Sequence, residues 1–98
     1  MTRIRTTKWD PAEALRSESR MAAYLEAALE DGDAAVVAAA LGDIARARGM
    51  SEVARSAGMG RESLYKALSE TGNPELSTVL KVVRALGLRL KASPRKAA

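Results

Sequence analysis

The sequence predicts an all-α fold of five to six helices, with a short extended N-terminal arm and a short C-terminal strand. Three observations carry this expectation. Alanine is abundant and β-branched runs are few, which favours helices packed closely together. Apolar residues recur at helical spacing through most of the chain. Capping residues and glycines stand where those patterns begin and end. At 98 residues the chain suits one domain with a modest core. With no Phe, that core is expected from Leu, Val, Ile, Met and Ala. The expected boundaries are an arm over 1–10, one helical domain over 11–92 and a disordered basic tail over 93–98.

Ile4, Thr6, Thr7 and Trp9 suit an extended arm. Asp10 and Pro11 then open a short helix over 11–15, because Asp caps free amides and Pro fits the first helical position. Ser17 or Ser19 caps a second helix, with Met21, Leu25, Ala28 and Leu29 as its inner stripe. The Asp31-Gly32-Asp33 run ends that helix, and Asp33 caps the next. This third helix spans 34–48. Val37, Leu41 and Ile44 face inward, Val36 and Ala40 widen the stripe, and Gly49 closes it. Gly42 inside the helix costs about 1 kcal/mol against Ala and predicts a close neighbour there. Shorter elements follow. Ser51 is read as the cap of a helix over 52–57, Gly58 to Gly60 as a turn, and 61–68 as another helix. After the break at Thr71 to Pro74, a last helix over 76–86 is expected to bury Leu76, Leu80, Val83 and Leu86. The alternation of apolar and basic residues over 88–92 is a strand pattern.

Charge is uneven along the chain. Residues 11–52 carry eight acidic and four basic side chains, whereas 89–98 carry four basic ones and no acid. An acidic middle with basic ends suggests two surfaces with different partners. A mixed, solvated surface is the competing explanation. The absence of Cys and His excludes zinc fingers, cysteine nucleophiles and Ser-His-Asp triads. No paired carboxylates converge on a nucleophile, so no enzyme and no cofactor are expected. No membrane span or leader is visible, which leads us to expect a cytoplasmic protein.

Residues 50–68 carry the strongest functional signal. Two helices crossing steeply need a small residue at their contact, and Ala54 supplies it. They need a turn residue that tolerates a left-handed backbone, and Gly58 stands four positions later. Val53, Met59, Leu64 and Leu68 are placed to lock the second helix to the core. The pattern is that of a helix-turn-helix whose second helix enters the DNA major groove. The expected DNA-binding residues are Ser51, Gly60, Arg61, Glu62, Ser63, Tyr65 and Lys66. Arg61 and Lys66 suit guanine acceptors or phosphates, and Glu62 suits a cytosine amino group or the orientation of Arg61. Tyr65 suits a phosphate or a thymine methyl. Ser63 and the amides at Gly60 to Glu62 suit phosphate. An ordinary helical hairpin with a polar outer face is the alternative.

The blocks "ALGDIARARGM", "GRESLYKALS" and "GNPELSTVLKVVRALGL", in that order after the Asp31-Gly32-Asp33 turn, resemble the HigA-type addiction-module antidotes. These are antitoxins with a phage-repressor-like, XRE/Cro-type helix-turn-helix, and the resemblance covers 24–90. It implies a type II antitoxin that binds a RelE/HigB-like mRNA-cleaving toxin and represses its own operon at operator DNA. Carried over by position, Arg61, Glu62, Tyr65 and Lys66 would read the DNA. Gly60 stands where many relatives of the wider fold place a capping Ser or Thr, a departure that costs little.

The sequence leaves two toxin-binding regions open. Glu26, Glu30, Asp31 and Asp33 suit a basic toxin by charge, with a solvated helix face as the alternative. Trp9 in the arm suits an aromatic anchor, with a core plug as the alternative. A homodimer is expected, because one helix-turn-helix binds weakly and paired repressors read palindromes. Its expected interface is the last helix and the 88–92 strand. A stand-alone repressor without a toxin, and an antidote that has lost operator binding, are the rival functions.

Overall fold

Residues 17–69 and 71–95 are described by the computed structural model, and among them the chain forms five α-helices and no strand. The arm over 1–10 with Trp9, the short helix expected over 11–15 and residues 96–98 lie outside the described residues.

Helix α1 spans Glu18–Asp31 and is capped by Ser17, whose side chain accepts the Arg20 amide at 3.4 Å. It buries Met21, Leu25 and Ala28. Leu29, expected in the same stripe, is 44% exposed. It lies at the stripe's edge, beside Leu88 and Leu90 of the chain that follows the last helix. Helix α2 spans Ala34–Arg48, and Asp33 caps it by accepting the Ala35 amide at 2.9 Å. Its inner face is Ala38, Leu41, Ile44 and Ala45, with Val37 partly buried. Val36, expected to widen that face, is exposed because it sits in the first turn, before α2 passes under the rest of the bundle.

Helix α3 spans Met50–Ala57, α4 spans Arg61–Ala67 and α5 spans Leu76–Ala85. α1 packs on α2, while α3 touches α2, α4 and α5. The core therefore converges on α3. Met21, Leu41, Ile44, Val53, Leu64, Leu68, Val82, Val83 and Leu86 meet there. Each such aliphatic side chain contributes roughly 1.5–3 kcal/mol by leaving water.

The structure corrects three further expectations. α3 begins at Met50 with Gly49 before it, so Ser51 is an exposed first-turn residue and not the cap. The inner face of α5 matches the expected one only in its second half, at Val83 and Leu86. Val82, Val83 and Leu86 are buried, whereas Leu76 is 68% and Leu80 43% exposed. A helix this short has one inner stripe, and the adjacent valines occupy it. The strand expected over 88–92 does not form. The Leu88 amide bonds to the Val83 carbonyl at 3.0 Å, as part of the turn that ends α5 at Gly87. Leu88 then packs against the core, and the chain runs on beside α1. Among the described residues there is no neighbouring strand to complete a ladder, which an alternating pattern alone cannot supply.

Gly42 meets the expected close neighbour. A Cβ built there would lie 2.7 Å from the Leu68 carbonyl oxygen, which is backbone and cannot swing away. Gly42→Ala is expected to destabilise the protein by about 1–2 kcal/mol despite alanine's better helix propensity. Denaturant unfolding would show it as a lower midpoint with an unchanged slope. Among the described residues, no helix is long and apolar enough to cross a membrane.

Candidate nucleic-acid interface

The turn between α3 and α4 is built by its backbone. Gly58 adopts φ 70°, ψ 33°, a left-handed conformation that a side chain disfavours. The Met59 amide then reaches back to the Ala54 carbonyl at 2.9 Å, which satisfies a free carbonyl of α3. Ala54 is 3% exposed, small enough to let the two helices approach. Val53 is buried beside it, and Met59 is partly buried against the core. On α4, Leu64 has no exposure and Leu68, the residue after the helix, has 2%. The scaffold residues read from the sequence thus come together as one unit.

α4 turns every remaining long side chain outward. Arg61, Glu62, Ser63, Tyr65 and Lys66 are all exposed. The Arg61 guanidinium stands over the Tyr65 ring, 5.5 Å from its centroid, within cation–π range. None of these five groups takes part in an ion pair among the described residues. Two cations, a carboxylate, a hydroxyl and an aromatic ring therefore share one solvent-facing surface on a firmly seated helix. Ser51 is exposed at the start of α3.

Gly60 precedes α4 with φ −71°, ψ 146°, an extended geometry open to any residue. Nothing there caps the helix through a side chain, and an added Cβ would meet only Ser63 Oγ at 3.8 Å. Gly60→Ser should therefore stabilise the protein by about 0.5–1 kcal/mol through a gained cap and a less flexible unfolded chain. A rise in the thermal midpoint of a few degrees would register it.

The acidic candidates do not form one cluster. Glu26 lines a groove beside Arg89 and Lys91, whereas Asp31 lines a different groove between α1 and α2. Glu30 and Asp33 are exposed, and Asp33 is engaged as the α2 cap. Sequence reasoning missed the polar contacts beside Asp31. The Tyr24 hydroxyl donates to Asp43 Oδ2 at 2.6 Å, and Arg46 pairs with Asp43 Oδ1 at 2.7 Å. The Asp43–Arg46 half is visible in the sequence as an i,i+3 pair. The Tyr24 half depends on how α1 lies on α2.

That hydrogen bond raises the Tyr24 pKa above its ordinary 10.0, with burial and the Asp43 charge adding to it. A raised phenol pKa means the folded state holds the proton longer. The contribution is present below the ordinary value and is lost as pH climbs through the folded one. Asp43→Asn should move Tyr24 ionisation back down, as read by ultraviolet titration of the phenolate.

Among the described residues, no group of His, Cys, Asp or Glu is arranged to hold a metal ion. A search of solved structures finds no significant match. Among curated proteins, one from Haemophilus influenzae (strain ATCC 51907 / DSM 11121 / KW20 / Rd) is 52% identical over 83 residues. The match covers 85% of this chain and 86% of that protein, which is described only as "Uncharacterized protein". The family model described as "Probable addiction module antidote protein" matches residues 5–94. The match takes in all five helices, both grooves and the exposed face of α4, so this chain belongs to the addiction-module antidote family, and a toxin is the partner that membership implies.

Proposed function

We propose that this chain is a HigA-type antitoxin with two activities. It neutralises a RelE/HigB-like, mRNA-cleaving toxin by binding it, and it represses its own operon by binding operator DNA through α3 and α4. The observation that carries the DNA half is the outward face of α4, where Arg61, Glu62, Ser63, Tyr65 and Lys66 are exposed around a buried Leu64. An α-helix with that face fits the major groove, where Arg and Lys meet guanine and Glu meets cytosine. α3 lies behind it as the bracing helix of an XRE/Cro-type helix-turn-helix.

The protein acts by binding and not by catalysis, and it works in the cytoplasm, where operator and toxin are found. It pairs as a two-fold dimer through α5, because Leu76 and Leu80 place two large apolar side chains on that helix's solvent face. Two α4 helices then meet successive major grooves of a palindrome. Membership of the antidote family favours this reading over a stand-alone repressor.

The test has two arms. Gel shifts on the DNA upstream of the gene should give a specific, salt-sensitive complex. Co-expression with the product of the adjacent gene should yield a co-purifying pair with the toxin's growth arrest relieved. Absence of a specific shift removes the DNA half. Absence of co-purification and relief removes the antidote half.

A further inference from the structure

The α1–α2 face has a shape and charge that the α3–α4 unit does not share. Between the two helices runs a shallow groove of about 450 Å³, lined by Tyr24, Ala27, Ala28 and Asp31 of α1 and by Val36, Ala39, Ala40 and Asp43 of α2. Its floor is alanine, so a partner's backbone can come close. Its walls carry Tyr24 at 41% and Val36 at 39% exposure. Tyr24 does not swing freely, because its hydroxyl is tied to Asp43, which Arg46 holds from the other side. An aromatic fixed in place before binding loses little entropy when a partner lands on it.

Carboxylates outnumber cations around this groove, and the nearby Arg46 is taken up by Asp43. Residues 21–45 carry Glu26, Glu30, Asp31, Asp33 and Asp43 and no Lys or Arg. The groove is lined by two carboxylates and no cation. Asp43 is engaged by Tyr24 and Arg46, whereas Asp31 has no partner among the described residues. A groove with an apolar floor and a free carboxylate at one end fits a helix with small or aliphatic residues along one stripe and a basic side chain at its flank.

We infer that the α1–α2 groove is where the antidote holds its toxin, through a basic amphipathic helix of that protein that lies on the alanine floor against Tyr24 and Val36 and sets a Lys or Arg on Asp31. This rests on the antidote reading. It selects Asp31 from the acidic side chains and leaves the α4 face free for DNA, so both partners can be held at once.

The experiment uses the full chain co-expressed with the product of the adjacent gene, and binding measured by titration calorimetry. Ala27→Arg puts bulk and a positive charge into the groove from an exposed helical position, and Asp31→Lys reverses the charge at its rim. Each is expected to weaken binding by at least about tenfold, while Glu75→Lys, outside the groove, leaves it within about twofold. Helical circular dichroism and the operator gel shift should match wild type, which shows that the variants are folded. If the wild-type chain fails to bind the adjacent product, the antidote reading falls and takes the groove with it. If wild type binds and both groove variants bind as well, the groove alone is overturned.

Discussion

Leu64→Ala is expected to cost about 3–4 kcal/mol, the range for truncating a fully buried leucine whose surroundings cannot collapse into the gap. Leu64 has no exposure, and it is the one buried residue within α4. Its neighbours come from several helices, and the core of the described residues holds no aromatic ring. Small domains hold about 5–15 kcal/mol in total. The loss therefore takes a large share of the margin, and the thermal midpoint should fall by more than ten degrees on the usual scale of about 4–8 °C per kcal/mol. The variant keeps every exposed group of α4. If the α4 face binds DNA, the variant should still shift operator in the cold and lose it on warming, in step with its helical signal. A midpoint within a degree or two of wild type would show that α4 is not seated as described.

The second large effect lies on the opposite side of the same helix. If the α4 face of a dimer binds operator as proposed, Arg61→Ala combined with Lys66→Ala should reduce affinity by at least about a hundredfold, since each good base contact is worth about 1–3 kcal/mol and a dimer doubles the loss. Removing two cations per subunit should also flatten the salt dependence of binding, because fewer counterions are released. Both side chains are exposed and make no ion pair among the described residues, and the Arg61–Tyr65 contact is itself exposed, so unfolding should be unchanged within about 0.5–1 kcal/mol. Tyr65→Leu separates the roles further. It removes the ring beneath Arg61 and should lower affinity less than the double change does. Double-variant binding within about threefold of wild type would place the DNA contact elsewhere.

Leu64→Ala and the Arg61/Lys66 pair test opposite faces of one seven-residue helix, and both faces were legible in the sequence. The spacing of Ala54, Gly58, Leu64 and Leu68 fixes which side of α4 is buried, because a left-handed turn after α3 leaves few ways to lay the next helix down. The ends of α1 and α2 were equally readable. Ser17, Asp33 and Gly49 act locally, on amides and carbonyls within a few residues, and the sequence specifies such contacts directly.

What escaped the sequence has a common cause. Leu29, Val36, Leu76 and Leu80 all belong to helical apolar patterns, yet all are exposed. Periodicity says that a helix has an apolar side. It does not say how wide the neighbouring element is, and a short helix covers only part of its neighbour's stripe. The same holds for 88–92, where the alternation is real but a strand exists only when another strand lies beside it. The Tyr24–Asp43 bond joins residues nineteen apart and appears only once α1 is laid on α2.

By itself, then, the sequence determined the five described helices, the caps at Ser17 and Asp33, the turn at Gly58 and the outward residues of α4. It could do so because each depends on interactions reaching no more than a few residues along the chain. Tertiary packing decided which apolar side chains stay in water, that Glu26 and Asp31 line different grooves, and that Tyr24 and Asp31 share a surface. Those outcomes depend on the separation and rotation of whole helices, which the hydrophobic effect sets only when all five bury their stripes together.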